Sequence, residues 1–315
     1  MKKSIFFFGF IVLLFFSQYG ISQDLIPLGN YENNGSIRYY RPEVQDQKLY
    51  WPLGKKGLLI FDCEDPSNLR RINLYRNYEI RENRKIHGSV NAIKVIDNIG
   101  YLAEGELGFK VMDFTDPVNP ENLGSYSRNQ DVNEFCLLKN FSILGLAGNG
   151  VEVVDISDLN DISLVSRKNM DGIVVNKIDI AENCVYVAAG KDGIRILPYR
   201  KPLSAFKSAG FIKKFYPKGD PEDLIISDNV GYLANGKNEI MVLDLSLPEH
   251  PSVLKTYETS GKTHGLFLDQ SVLYVATSKG VEVFSEDESG NLSKISEYHD
   301  KERGYRKVCI EGNFL

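Results

Sequence analysis

The chain's only imidazoles are His87, His250, His264 and His299. None stands in a His-x-x-x-His or His-Glu-x-x-His spacing, the pattern that sets two zinc ligands on one helix face. No Gly-x-Ser-x-Gly elbow presents a serine nucleophile, and no Walker-type glycine loop cradles a phosphate. Asp155, Asp158 and Asp161 are spaced by three. A calcium loop of the EF-hand type needs alternating oxygens and a central glycine. Aspartates capping their own turns explain the spacing better. No metal, cofactor or catalytic residue is expected from these motifs.

Two other groups could bind something. One residue opens the first strand of each successive unit of an internal repeat: Asn91, Asn133, Asn176, Glu222, His264 and Arg306. Strand starts that converge at one end of a closed ring would place these six around a channel mouth, as a ligand site or as a hydrated rim. Glu222 and His264 are its adjacent titratable pair. Three of the six are Asn, which cannot transfer protons, so binding is favoured over catalysis. The second group lies in a long inserted segment after Tyr75, where Arg76, Tyr78, Arg81, Arg84, Lys85 and His87 alternate with Glu79 and Glu82. Inserted loops on rigid scaffolds often carry partner contacts.

The elements that must position these residues repeat along the chain. One unit reads Val90–Ile96, a turn at Asp97-Asn98, Gly100–Ala103, a glycine turn, Gly108–Asp113, Asp116-Pro117, then Leu123–Tyr126. That is four strands joined by turns. The third strand recurs as Gly57–Asp62, Gly108–Asp113, Gly150–Asp155, Gly193–Pro198, Glu239–Asp244 and Gly280–Ser285, at intervals of 41 to 51 residues. First strands alternate with period two: Ile93 and Val95, Ile178 and Ile180, Leu224 and Ile226 share a face. Tyr50, Tyr101, Tyr186, Tyr232 and Tyr274 open second strands. A four-stranded meander buries little alone, but stacked face to face and closed into a ring such units share a core and hide their edges. The sequence is therefore read as all-β, a seven-bladed β-propeller of four-stranded antiparallel blades.

The third-strand pattern resembles the LVIVD-repeat proteins. Val111-Met112-Asp113-Phe114-Thr115-Asp116-Pro117, Val153-Val154-Asp155-Ile156-Ser157-Asp158 and Leu243-Asp244-Leu245-Ser246 carry the resemblance. Pro198 and Ser285 depart from it. The resemblance implies a propeller, exported or surface-associated in bacteria, with no assigned reaction.

Lys2 and Lys3 precede an apolar run from Ile5 to Phe16, followed by Gly20-Ile21-Ser22. This is the pattern of a cleaved secretory leader, too short for a stable span. Residues 1–22 are read as the signal peptide and 23–315 as the propeller. Without Lys2 and Lys3 the chain has 35 basic against 42 acidic residues. An acidic chain is not suited to nucleic acid. Cys136, Cys184 and Cys309 fall in apolar strands and read as small buried hydrophobes.

Leu25–Tyr31 matches a fourth strand, and Tyr305–Leu315 matches the opening of a unit. The seventh blade is therefore expected to be incomplete and shared between the two termini. The resulting expectation is a secreted, periplasmic or cell-surface monomer without a membrane span after cleavage. It would act as a binding or assembly module for an envelope or extracellular protein or glycan. The alternative is a propeller enzyme, a lactonase, glycan lyase or hydrolase, or quinoprotein relative, working at the channel mouth.

Overall fold

The computed structural model describes residues 40–65, 68–127, 130–199, 213–287, 289–299 and 305–311, together with the strand pairing of Ser4–Phe8, Val12–Phe15 and Ile26–Pro27. The chain forms antiparallel four-stranded blades whose strands follow one another in sequence. Blade one runs Glu43–Gln45, Lys48–Pro52, Leu58–Asp62 and Arg70–Tyr75. Blades two to six repeat this order, opening at Ala92–Ile96, Val132–Leu138, Lys177–Ala181, Asp223–Ser227 and Thr263–Asp269.

Each feature of the repeat has a local cause. Asp46-Gln47 and Asp97-Asn98 take positive φ at both turn positions, so two residues reverse the chain with the twist that hairpins require. The aspartate ending the third strand folds back on its own turn. Asp62, Asp113, Asp155 and Asp244 accept the backbone N–H two residues on, from Glu64, Thr115, Ser157 and Ser246, at 2.9, 2.7, 2.9 and 2.8 Å. The next residue locks the turn to the hairpin before it. Cys63, Phe114, Ile156, Tyr199 and Leu245 donate their N–H to the carbonyls of Gln47, Asn98, Asn140, Asn183 and Asn229. Pro198 takes the place of the aspartate in blade four, yet Tyr199 keeps this lock.

The core is a series of slabs between neighbouring blades. Tyr50, Leu58 and Ile60 of blade one pack on Ile93, Val95 and Phe114 of blade two. Phe109 and Val111 of blade two meet Phe135 and Leu144 of blade three. Cys184 and Cys309 are buried, and Cys136 is half-buried. Removing these apolar faces from water supplies the main driving force for folding.

Six blades, not the expected seven, are built from four strands consecutive in sequence. The strand that follows Tyr305 instead joins a four-stranded sheet whose other three strands come from the N-terminal end of the chain. This inner strand, Lys307–Glu311, lies between blades six and one. Val308 packs with Tyr274 and Val283, and Cys309 with Leu49, Trp51 and Phe61. The other edge of Lys307–Glu311 pairs with Ser4–Phe8, followed by Val12–Phe15 and Ile26–Pro27. The remainder of the fourth strand expected at 25–31 lies outside the described residues, as does most of the leader segment. Among the described residues, no helix is long and apolar enough to cross a membrane.

Candidate axial site

The inner strands place their first residues around one mouth, and the bonds that do so repeat. Asn91, Asn176 and Glu222 each donate their backbone N–H to a second-strand carbonyl twelve residues on, those of Ala103, Ala188 and Ala234, at 2.8, 2.9 and 2.9 Å. The preceding residue is tied to the blade before. Gly54 N–H donates to Val90, Gly105 to Val132 and Gly190 to Pro221, at 2.9, 3.1 and 3.1 Å. Gly54 and Gly105 both have φ of +58°, a conformation glycine adopts without steric cost.

All six residues singled out from the sequence border one axial cavity of about 700 Å³. Asn91 Nδ2 donates to Asn133 Oδ1 at 2.9 Å, and Ser89 Oγ donates to Asn91 Oδ1 at 2.9 Å. Asn176 Nδ2 donates to Pro221 O at 3.1 Å. His264 Nδ1 stands 2.7 Å from Glu222 Oε2. Arg306 Nη1 lies 3.3 Å from the same imidazole nitrogen. It donates to Glu222 Oε2 at 3.4 Å. His264 is nearly buried, whereas half of the Arg306 side chain is exposed.

The register adds a seventh ring residue. Glu43 pairs with Tyr50 as Lys94 pairs with Tyr101, so Tyr40 corresponds to Asn91 and Arg41 to Ala92. Tyr40 borders the same cavity. The sequence signal was present, since Tyr40 stands three residues before Glu43 as Asn91 stands before Lys94. The inner strand that follows Tyr40, Glu43–Gln45, is only three residues long and shows no alternation in burial.

Beneath the ring, the next position is charged in five of these strands, Ala92 and Gly265 being the exceptions, and forms a floor that the sequence reading missed. Arg41, Glu134, Lys177, Asp223 and Lys307 occupy it. Asp223, with no side-chain exposure, accepts from Arg41 Nη2 at 2.5 Å and from Lys307 Nζ at 3.0 Å. Leu224 N–H and Leu266 N–H complete its bonds at 3.0 and 3.1 Å. Burial alone would raise the pKa of Asp223, but the Arg41, Lys307 and Lys177 charges hold it well below the ordinary carboxylate range. Lys177 Nζ lies 3.5 Å from Glu134 Oε1. Deeper still, Lys94 pairs with Glu43.

The inserted segment is a hairpin, Tyr78–Arg81 with Arg84–His87. Arg81 fastens it to blade two, donating to Glu106 O at 3.2 Å and Ser127 Oγ at 2.9 Å. Arg76 donates to Lys56 O at 3.1 Å. Arg81 and Arg84 border a second cavity of about 450 Å³ with Glu106 and Asp131. Lys85 Nζ sits 3.8 Å over the Tyr78 ring, and Tyr78 and His87 are exposed. The hairpin residues do not join the axial ring. Asp155 and Asp158 cap turns, with Asp158 accepting from Asn160 N–H at 2.9 Å.

Sequential four-stranded blades around an axial mouth define a β-propeller. Within that class, the LVIVD repeat family matches residues 218–259, and the chain carries this repeat. No curated protein sequence matches the chain. Among solved structures it is similar to the periplasmic gluconolactonase of Pseudomonas aeruginosa, with TM-score 0.68 and 10% identity, covering 98% of this chain and 99% of that one. It is also similar to a functionally unknown protein from Desulfotomaculum acetoxidans, with TM-score 0.58 and 13% identity, covering 84% and 80%. Identities this low establish the common fold alone.

Proposed function

We propose that this chain is an exported binding module whose polar ligand, an envelope glycan or a segment of an envelope protein, enters the axial cavity. One observation carries the reading: the same register position in successive units delivers a polar side chain to a single cavity of about 700 Å³. That volume falls within the range of small-ligand sites. The leader pattern at 1–22 and the periplasmic setting of a structural neighbour support export. The basic hairpin from Arg76 to His87 would be the second contact surface for a protein partner.

The test titrates the mature protein with soluble envelope glycan fragments. Binding should disappear in the Glu222→Ala/His264→Ala double variant while its thermal melt remains cooperative. Normal binding by a folded double variant would move the site to the hairpin.

The His264–Glu222 pair favours one rival. An imidazole held by a carboxylate can take a proton from water, which would suit a sugar-lactone hydrolase of the kind named for the Pseudomonas neighbour. Lactone turnover by the wild type that is lost in His264→Ala would establish that rival.

A further inference from the structure

We propose that the axial cavity selects a monoanionic, hydroxyl-rich ligand, a uronic acid or the uronate unit of an acidic glycan. This rests on the reading of the cavity as the ligand site and adds the chemistry of its occupant.

Charge comes first. Arg41, Lys177, Lys191, Arg306 and Lys307 border the cavity, against the carboxylates of Glu134, Asp220 and Glu222. Asp223 is buried below and holds Arg41 and Lys307, while Glu134 and Asp179 act on Lys177. Lys191 has no acidic partner among the described residues, and Arg306 holds Glu222 only at 3.4 Å with half its side chain exposed. Lys191 and Arg306 are therefore the cations left to meet an anionic guest. Arg306 also offers the planar fork that grips a carboxylate through two parallel bonds.

Hydrogen bonding comes second. Asn91 already uses its amide on Asn133 and Ser89. Asn133 spends only its carbonyl there, so its NH₂ group has no partner among the described residues. Asn176 is the converse: its NH₂ donates to Pro221 O and its carbonyl is open. The cavity therefore presents one unused amide donor and one unused amide acceptor, and a hydroxyl can satisfy either. Among the described lining residues, Val174 and Val175 are the aliphatic side chains and Tyr40 and His264 the aromatic ones, which disfavours an apolar guest. A cation for the carboxylate, amides for the hydroxyls and a mostly polar wall together describe a sugar acid.

The experiment uses the mature chain and isothermal titration with matched pairs: D-galacturonate against D-galactose, D-glucuronate against D-glucose, plus trigalacturonate and inorganic phosphate. Each uronate should bind at least about tenfold tighter than its neutral partner, the scale of one charge-assisted contact. Its affinity should fall in Arg306→Gln and in Asn133→Leu and weaken with salt. Tighter binding of trigalacturonate would assign the source as a glycan end, and equal binding a free sugar acid. Neutral sugars binding as tightly as the uronates, phosphate binding more tightly, or no uronate binding at millimolar concentration would each overturn the ligand class. Uronate binding indifferent to both substitutions would instead overturn the axial location. Thermal melts of Arg306→Gln, whose side chain is half exposed, verify that the fold is intact.

Discussion

Arg41 Nη2 lies 2.5 Å from Asp223 Oδ2, a bond between residues 182 positions apart that joins blade one to blade five across the axis. Lys307 reaches the same oxygen from the last inner strand at 3.0 Å. One layer above, Arg306 and Glu222 repeat this pairing between the same two units at 3.4 Å. The propeller is thus tied through its centre as well as around its circumference.

Asp223→Asn should destabilise the chain by about 3–5 kcal/mol, because it leaves Arg41 and Lys307 with no counter-charge at that point. Chemical denaturation measures the loss. The folded-state pKa of Asp223 is depressed, so its stabilisation is complete above the ordinary carboxylate value of about 4 and fades as pH falls through the folded value. The gap between wild type and Asp223→Asn should therefore be constant from neutral pH down to about pH 5 and narrow below about pH 4. A gap that widened in acid would contradict this assignment.

Gly100 and Phe114 form a second tight pair. A Cβ at Gly100 would sit 2.2 Å from Phe114 Cε2, and Phe114 is wholly buried with its ring 5.3 Å from Tyr50. Gly100→Ala should cost about 1–3 kcal/mol through overpacking. The double variant Gly100→Ala/Phe114→Leu should be less destabilised than the sum of the two single changes, since the smaller side chain admits the methyl. Strict additivity in thermal melts would show that the clash relaxes elsewhere.

Export makes a separate prediction. Cleavage after Ser22 should give a mature chain beginning at Gln23, visible by N-terminal sequencing of exported protein. Lys307–Glu311 would then lose its pairing with Ser4–Phe8, and its amides should exchange hydrogen faster in the mature chain than in the uncleaved one. Recovery of intact Met1 from the exported fraction would refute cleavage.

The ring was legible in the sequence because one residue per unit occupies a fixed register, from Asn91 to Arg306, and a repeat converts a register into a circle. The blade architecture was legible for the same reason, through the third-strand aspartates. The floor was harder to see. Glu134, Lys177, Asp223 and Lys307 each follow a ring residue by one, yet they read as ordinary polar positions of an alternating strand. Only the closed ring turns that face toward the axis. Arg41 was hidden because its own strand, Glu43–Gln45, is the shortest inner strand and shows almost no alternation. The blade count differs at the unit opening with Tyr305, where Lys307–Glu311 pairs with Ser4–Phe8 and not with a strand that follows it in sequence.

The most direct test of the axial site is a crystal structure of the mature chain soaked with D-galacturonate. The ligand should lie in the axial cavity, its carboxylate within hydrogen-bond distance of Arg306 and a hydroxyl on the amide of Asn133 or Asn176. Ligand density confined to the Tyr78–His87 hairpin or to the outer blade surfaces, with the axial cavity holding water alone, would contradict the assignment.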